Sequence, residues 1–206
     1  MIQSDTIIAL KKDKYRIIKE IGFGAYGVVW RAERISDSVM VAVKTVQTRS
    51  PENRSPYSKS FLARIIEVQN KEIKFLRRLT PEDAMQNHIL PLIDFGQYDD
   101  TPVMVLTLCD CNLAEVYEQR TDTSFPFDGA TLVRWIGQIT VALKTVHTLG
   151  GKPGEPGTFS HRDLKLQNVL VKDNKLSFEP VPTANPTPGP TPDPDDPDHR
   201  WFGNAD

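Results

Sequence analysis

The pattern of apolar and polar positions predicts strands in the first half of the chain. Two strands around a glycine turn are expected in 15–33, a third in 38–47, and a pair across a Tyr-Asp-Asp-Thr-Pro turn in 88–108. Between them, 61–79 has a helical period and ends before Pro81. One face of this helix is expected to carry Ile65, Ile66, Ile73, Leu76 and Leu79.

The second half becomes helical. A short helix is predicted in 112–120 and a long amphipathic one in 130–149, which ends at Gly150 and Gly151. The apolar face of the long helix carries Leu132, Trp135, Ile136, Ile139, Leu143 and Val146. Two short strands around an Asp-Asn turn are expected in 168–178.

The composition changes at Glu179. Eight of the sixteen prolines lie between Pro180 and Pro197, and such a segment buries too little apolar surface to offset its ordering entropy. We interpret 179–206 as a disordered tail or insert, with a proline-recognising protein partner as an alternative role. Its local charge is -5, which leaves +3 on the rest of the chain. So small an excess suits a phosphate-bearing ligand and argues against nucleic-acid binding.

Cysteine usage and hydropathy indicate a cytoplasmic protein. Cys109 and Cys111, spaced C-D-C, match neither a disulfide framework nor a zinc site. The first fifteen residues do not have the pattern of a signal peptide. Since a helix needs roughly 20 apolar residues to cross a bilayer, and no stretch approaches this, no membrane contact is expected.

The first chemical motif is a glycine run. Gly22, Gly24 and Gly27 have the spacing G-x-G-x-x-G-x-V, and glycines allow backbone amides to approach phosphate groups closely. Ordinary hairpin turns also use glycine. A dinucleotide site would need these glycines to open a helix, whereas here the pattern continues as a strand. The spacing therefore favours a flap between two strands.

Two further motifs could complete a phosphate site. Lys44 ends the run Val-Ala-Val-Lys and could neutralise phosphate if a carboxylate held it; Glu72 is the favoured partner and Glu67 the competitor. The segment His-Arg-Asp-Leu-Lys-Leu-Gln-Asn begins at residue 161. In it, Asp163 could accept a hydroxyl proton, Lys165 could offset charge on a phosphoryl group and Asn168 could bind a metal ion.

In this order the motifs of 15–178 resemble the eukaryotic-type protein kinase family. The resemblance implies an α+β, bilobal fold, with an antiparallel N-lobe that carries one helix and an incomplete, mainly helical C-lobe. We expect an N-terminal arm in 1–14, the N-lobe in 15–108, a partial C-lobe in 109–178 and the tail in 179–206.

The resemblance also implies ATP and Mg²⁺ as cofactors and a role for each motif. The glycine flap would cover the phosphates, and Lys44, paired with Glu72, would contact them. The adenine would lie between Val29 and Ala42 above and Leu170 below, beside a gatekeeper and a hinge at Leu106, Thr107 and Cys109. Asp163 would be the catalytic base, Asn168 the magnesium ligand, Lys165 the serine/threonine-type choice and Arg162 a binder of a phosphorylated activation loop.

One motif of the family is missing. Its metal-binding Asp-Phe-Gly should follow Asn168 by about a dozen residues, where this chain has Glu179 to Pro182. The earlier triplet Asp94 to Gly96 precedes the catalytic loop, and we interpret it as a strand end and turn. Glu179 and the Trp201–Gly203 segment are weak substitutes. An insert before the metal motif, with the chain ending inside that insert, would account for the departure.

Three functional hypotheses follow. The first is a serine/threonine protein kinase that phosphorylates protein substrates with ATP, although this chain would have very low turnover. The second is a catalytically silent ATP-binding pseudokinase or scaffold module. The third is an abbreviated product without a stable fold, because the apolar face of 130–149 would lack part of its packing.

Overall fold

The computed structural model describes residues 2–24, 27–49, 55–118, 128–149, 161, 163–173 and 175–178. A six-stranded sheet, antiparallel at every pairing, has the order β1-β2-β3-β4-β6-β5. Its strands are β1 Ile7–Ala9, β2 Lys14–Gly24, β3 Gly27–Arg34, β4 Met40–Thr45, β5 Leu92–Tyr98 and β6 Thr101–Thr107.

A smaller sheet and four α-helices complete the described part of the chain. The helices are α1 Lys59–Leu76, α2 Pro81–Gln86, α3 Leu113–Glu118 and α4 Gly129–Thr148. The second sheet has the order β7-β8-β9 and consists of β7 Cys111–Asn112, β8 Val169–Lys172 and β9 Lys175–Phe178. A short 3₁₀ helix, Leu166–Asn168, leads into β8. The predicted strands and helices thus appear close to their expected positions.

The pleat of β4 gives the large sheet two different faces. Val41 and Val43 belong to an apolar cluster with β1, β2 and β6, whereas Ala42 belongs to the cluster beneath α1. Because successive side chains point to opposite faces of a strand, Lys44 shares the face of Ala42. The alternation of side chains, together with the position of Ala42, therefore places Lys44 on the helix side of the sheet.

Helix α1 begins at a side-chain cap and ends earlier than predicted. Ser58 accepts a hydrogen bond from the backbone N–H of Phe61 at 3.2 Å, which satisfies one orphan donor of the first turn. The helix ends at Leu76, so the expectation that it continues to Leu79 is wrong. Pro81 instead opens α2 as its first residue, where the missing N–H costs nothing.

The buried face of α1 is partly polar. Its buried residues are Ile65, Gln69, Glu72, Ile73, Phe75 and Leu76. The sequence prediction placed only apolar residues on this face, except for Glu72 as a partner of Lys44. Gln69 was not anticipated there.

The Asp-Phe-Gly triplet of β5 fastens the N-terminal arm to the sheet. Buried Asp94 accepts hydrogen bonds from the Lys12 backbone N–H at 3.0 Å and from the Tyr15 hydroxyl at 3.1 Å. A Cβ on Gly96 would lie 2.9 Å from Cδ2 of Leu10, so glycine makes room for the arm. We had expected the triplet at a strand end and turn, but it lies in the middle of β5.

Helix α4 is buried on one side only. Asp128 caps it by accepting the backbone N–H of Thr131 at 2.8 Å, and its buried residues include Trp135 and Val146. Ile136, which we had placed on the core face, is 61% exposed. Within the described ranges, no helix combines the length and apolar character needed to cross a membrane.

We predict that the Tyr15–Asp94 contact makes stability fall at alkaline pH. Burial, and next the charge of Asp94, raise the pKa of Tyr15 above its usual value of 10.0. A raised pKa means that the unfolded chain releases the proton first. The contribution of the Tyr15 hydroxyl to the unfolding free energy is therefore complete below pH 10 and declines as pH rises further. The difference in unfolding free energy between wild type and Tyr15→Phe should be constant up to about pH 10 and shrink above it.

Urea melts between pH 8 and pH 11 measure this difference. The matched control, Tyr117→Phe, removes a hydroxyl from a half-exposed ring and should change stability at neutral pH by less than about 0.5 kcal/mol. A wild-type minus Tyr15→Phe difference that stays level to pH 11 would contradict the role given to this contact.

Candidate active site

A cleft of about 770 Å³ lies between the large sheet and the β7-β8-β9 sheet. The structure brings most of the sequence-predicted site residues to its walls: Gly22, Gly27, Val29, Ala42, Lys44, Leu106, Thr107, Cys109, Asp163, Lys165, Asn168 and Leu170. Gly24 is the last residue of β2 and pairs with Gly27 across the strand ends. Glu72 does not line the cleft but contacts Lys44 from α1.

Lys44 and Glu72 form a buried ion pair. The Lys44 Nζ lies 3.1 Å from Oε1 and 3.0 Å from Oε2 of Glu72. Lys44 is 9% exposed and Glu72 is 2% exposed. Buried opposite charges gain from a weakly screened attraction, yet each has lost its hydration, so removal of one partner costs roughly 3–5 kcal/mol. The pair therefore fixes the distance between β4 and α1.

The competing carboxylate, Glu67, points elsewhere. It forms an i,i+4 pair with Lys71 at 2.5 Å, and its side chain is largely exposed. The hydrogen bond from Lys71 is the main cause that lowers the pKa of Glu67. Exposed pairs of this kind contribute little to stability, because water and salt screen the attraction. The alternative left open by the sequence is thus resolved in favour of Glu72.

The glycine flap passes close to the backbone of β4. A Cβ on Gly27 would lie 2.3 Å from the carbonyl oxygen of Thr45, which is too short for any real contact. A Cβ on Gly22 would meet nothing within 4 Å. Gly27 therefore serves close approach between strands, whereas Gly22 leaves open space over the cleft.

The inner end of the cleft is apolar. Val29 and Ala42 line it from the large sheet, and Leu170 lines it from β8. Leu106 is buried at the end of β6, immediately before the Thr107 to Cys109 segment. Beyond that segment, the Asp110 N–H donates to the Val171 carbonyl at 2.9 Å and ties the connection to the lower sheet. A flat apolar ligand with polar edges fits such a slot.

The segment before β8 gathers the polar chemistry. The Asn168 amide nitrogen donates to the Asp163 carbonyl oxygen at 2.8 Å and to Oδ2 at 2.9 Å. Lys165 Nζ lies 3.0 Å from the same Oδ2. No described residue donates a hydrogen bond to Oδ1 of Asp163. One carboxylate oxygen is thus oriented by two neighbours, and the other has no donor among the described residues.

The cleft has lining residues that the sequence analysis did not single out. These are Lys19, Ile21, Phe23, Arg31, Leu90, Asp110, Cys111, Asn112, Glu115 and Gln167. Ile21 and Phe23 flank Gly22, so their adjacency to the motif was a usable signal. Burial, and to a lesser degree the charges of Glu115 and Asp110, raise the pKa of the Cys111 thiol. Leu90 and Glu115 reach the cleft only through tertiary packing.

Some predicted residues lie outside the described part of the chain. They are Arg162, Glu179, the Trp201–Gly203 segment and the rest of 179–206. Among the described residues, no group of three or more His, Cys, Asp or Glu side chains could hold a metal ion. Asn168 uses its amide nitrogen on Asp163, so its amide oxygen is the atom available to a cation.

The described geometry agrees with the comparison to known families. The protein kinase domain family matches residues 15–178, and the chain belongs to this family. It is 31% identical over 161 residues to cyclin-dependent kinase F-4 of Oryza sativa subsp. japonica, covering 77% of this chain and 29% of that protein. It is 27% identical over 190 residues to a probable serine/threonine-protein kinase of Dictyostelium discoideum, covering 92% of this chain and 32% of that protein.

A solved kinase-domain crystal structure has the same fold. Its TM-score is 0.63 at 18% identity, over 84% of this chain and 43% of that one. The α+β, bilobal kinase fold predicted from the sequence is thereby confirmed. The chain spans about a third or less of the length of the two curated relatives above.

We predict that Gly27→Ala destabilises the flap and Gly22→Ala does not. The new methyl group at residue 27 would overlap the Thr45 carbonyl, so β3 must move away from β4 at a cost of about 1–3 kcal/mol. The methyl group at residue 22 enters open space, and its cost should stay below about 1 kcal/mol. Thermal and urea unfolding of both variants measure the difference. Equal losses of stability would contradict the tight approach at Gly27.

Proposed function

We propose that this chain binds ATP in the cleft and that its domain transfers the γ-phosphoryl group to serine or threonine hydroxyls of proteins. The observation that carries the proposal is the buried Lys44–Glu72 pair. Its lysine lines the same cleft as Asp163, Lys165 and Asn168. A phosphate-facing ammonium and a hydroxyl-orienting carboxylate are the parts that phosphoryl transfer needs.

The nucleotide would lie with its base at the apolar end. Val29, Ala42 and Leu170 would enclose the adenine, and the backbone of Thr107 to Cys109 would bind its polar edge. The phosphates would lie under the flap of β2 and β3, with Lys44 as counter-charge. Since Glu72 holds Lys44 on the cleft side of β4, the ammonium is placed before the ligand arrives.

Magnesium fits this site only together with a nucleotide. Mg²⁺ prefers oxygen ligands and commonly keeps waters while it bridges substrate phosphates. The described residues offer the Asn168 amide oxygen, with Asp163 beside it, and no preformed cluster. When bound, the ion would neutralise charge that develops on the transferred phosphoryl group. Asn168 would hold it, and the ATP phosphates would supply further oxygens.

Asp163 would orient the acceptor hydroxyl and take its proton. Its Oδ2 accepts a hydrogen bond from the Asn168 amide and pairs with the Lys165 ammonium, so the carboxylate is held in one orientation. Oδ1 would then face the acceptor hydroxyl. Lys165 would offset charge on the phosphoryl group. The serine/threonine choice is supported by this lysine and by the similarity to the probable serine/threonine-protein kinase of Dictyostelium discoideum.

The second hypothesis, an ATP-binding module without turnover, keeps support from one observation. No Asp-Phe-Gly follows Asn168 in the sequence, so the second metal ligand of the family is missing from 169–206. Nucleotide binding depends mainly on the cleft that is described. Phosphoryl transfer depends in addition on that missing carboxylate. We therefore expect this chain to bind ATP and to turn it over very slowly.

The cellular setting is part of the same proposal. The two cysteines of the chain form no disulfide with each other, which suits the cytoplasm. The proline-rich 179–206 segment could bind a protein partner, a proposal that its composition alone supports.

We predict that Lys44→Met weakens ATP binding at least about tenfold, because the phosphates lose their buried counter-charge. Asp163→Asn should preserve binding within about threefold, while any phosphate transfer to a protein substrate falls by roughly 10²-fold or more. Calorimetric titration with ATP, with and without Mg²⁺, measures the first effect. A radiolabelled phosphate-transfer assay measures the second.

Three outcomes are distinct. Turnover that Asp163→Asn abolishes supports the kinase, and binding without turnover supports the silent module. A folded wild-type chain that gives no heat with ATP would overturn both. Lys71→Met, which removes a partly exposed lysine on α1 that does not line the cleft, is the matched control and should leave ATP affinity unchanged.

A further inference from the structure

Helix α1 carries a second buried polar residue beside Glu72. Gln69 is 1% exposed and lies one helical turn before Glu72 on the same face. Its amide nitrogen donates to the Lys44 carbonyl oxygen at 3.2 Å and to the Pro102 carbonyl oxygen at 3.1 Å. The side chain therefore bridges two neighbouring strands of the large sheet, β4 and β6, from the helix above them.

The contacts of α1 converge on one strand residue. Glu72 binds the side chain of Lys44, and Gln69 binds its backbone carbonyl. The apolar neighbours of α1 resist separation from the sheet, but nondirectional contacts do not fix the rotation of a helix about its axis. Two directional bonds at i and i+3 on the same residue do fix it.

Stability alone does not account for an amide at this position. The Gln69 amide oxygen is buried and accepts no hydrogen bond from the described residues. An unsatisfied buried acceptor loses its hydration without compensation, a cost that an aliphatic side chain of similar length would avoid. That oxygen lies 3.8 Å from the place where a Cβ on Gly27 would stand, directly beneath the base of the flap.

We infer that Gln69 is a positioning residue that sets the rotation of α1, so that Glu72 holds Lys44 in the cleft. Gln69 does not line the cleft and would act only through Glu72 and Lys44. The inference rests on the proposed function in one respect, that Lys44 is the phosphate-binding group. Its physical content, coupling between Gln69 and the Lys44–Glu72 pair, is measurable without nucleotide.

A double-mutant cycle on Lys44 reactivity tests this coupling. The full chain is treated, without ATP, with the N-hydroxysuccinimide ester of acetic acid, and acetylation of Lys44 is followed by peptide mass spectrometry. A lysine held in a buried ion pair reacts slowly. Gln69→Met, which keeps length but cannot donate, should raise the Lys44 rate about fivefold. In the Glu72→Gln background, the same change should raise it less than about twofold.

Two references separate positioning from loss of structure. Acetylation of the exposed Lys74 checks reagent delivery, and thermal melts check that each variant folds. The matched control, Asn70→Met, alters the neighbouring exposed amide on α1 and should leave the Lys44 rate unchanged. If Gln69→Met does not melt cooperatively, the cycle uses Gln69→Asn, whose amide is one methylene too short to reach both carbonyls.

Equal effects of Gln69→Met in both backgrounds, or none in either, would overturn the inference. A wild-type chain that fails to bind ATP in the calorimeter would overturn the proposed function and leave the cycle readable. Conversely, ATP binding together with an additive cycle would keep the proposed function and remove Gln69 from its positioning role. The two failures are therefore distinguishable.

Discussion

The organisation of the cleft depends on one buried ion pair between a strand and a helix. Lys44 and Glu72 are 28 positions apart in the chain, and only the stacking of α1 on the sheet brings them within 3.0 Å. Neither charge would be stable at that depth without the other, because each has given up its hydration. The ammonium group is therefore held in the cleft only when α1 lies at this distance from the sheet.

The Asp-Phe-Gly triplet of β5 has a structural role that differs from the metal-binding role of the same triplet in the kinase family. In β5, Asp94 accepts hydrogen bonds from the N-terminal arm, Phe95 lies under the guanidinium of Arg77 at 4.7 Å, and Gly96 leaves space for Leu10. All three residues are used in packing the large sheet. A motif that resembles a metal site here joins β5 to the arm, because it lies within an edge strand where the Asp94 carboxylate is buried.

Nucleotide binding and phosphoryl transfer place unequal demands on the chain. The described cleft supplies apolar walls, a flap, a held ammonium and an oriented carboxylate, which are the parts that we propose bind a nucleoside triphosphate. Transfer also requires metal ions held near the reacting oxygens, and a single amide oxygen binds a metal ion weakly.

The packing of α4 limits the stability of the described fold. Its Val133 and Ile136 are exposed, and an exposed apolar side chain lacks the roughly 1.5–3 kcal/mol that burial would contribute.

Sequence alone determined the family, the candidate residues and most of the strand and helix order, because glycine spacing, strand alternation and the His-Arg-Asp segment are local signals. It did not predict β1, α2 or β7. The tertiary structure confirmed Glu72, which the sequence favoured over Glu67, and it alone buried Gln69 and brought Leu90 and Glu115 to the cleft. These outcomes depend on the rotation of α1 and on how distant loops meet, and no local pattern encodes such long-range geometry.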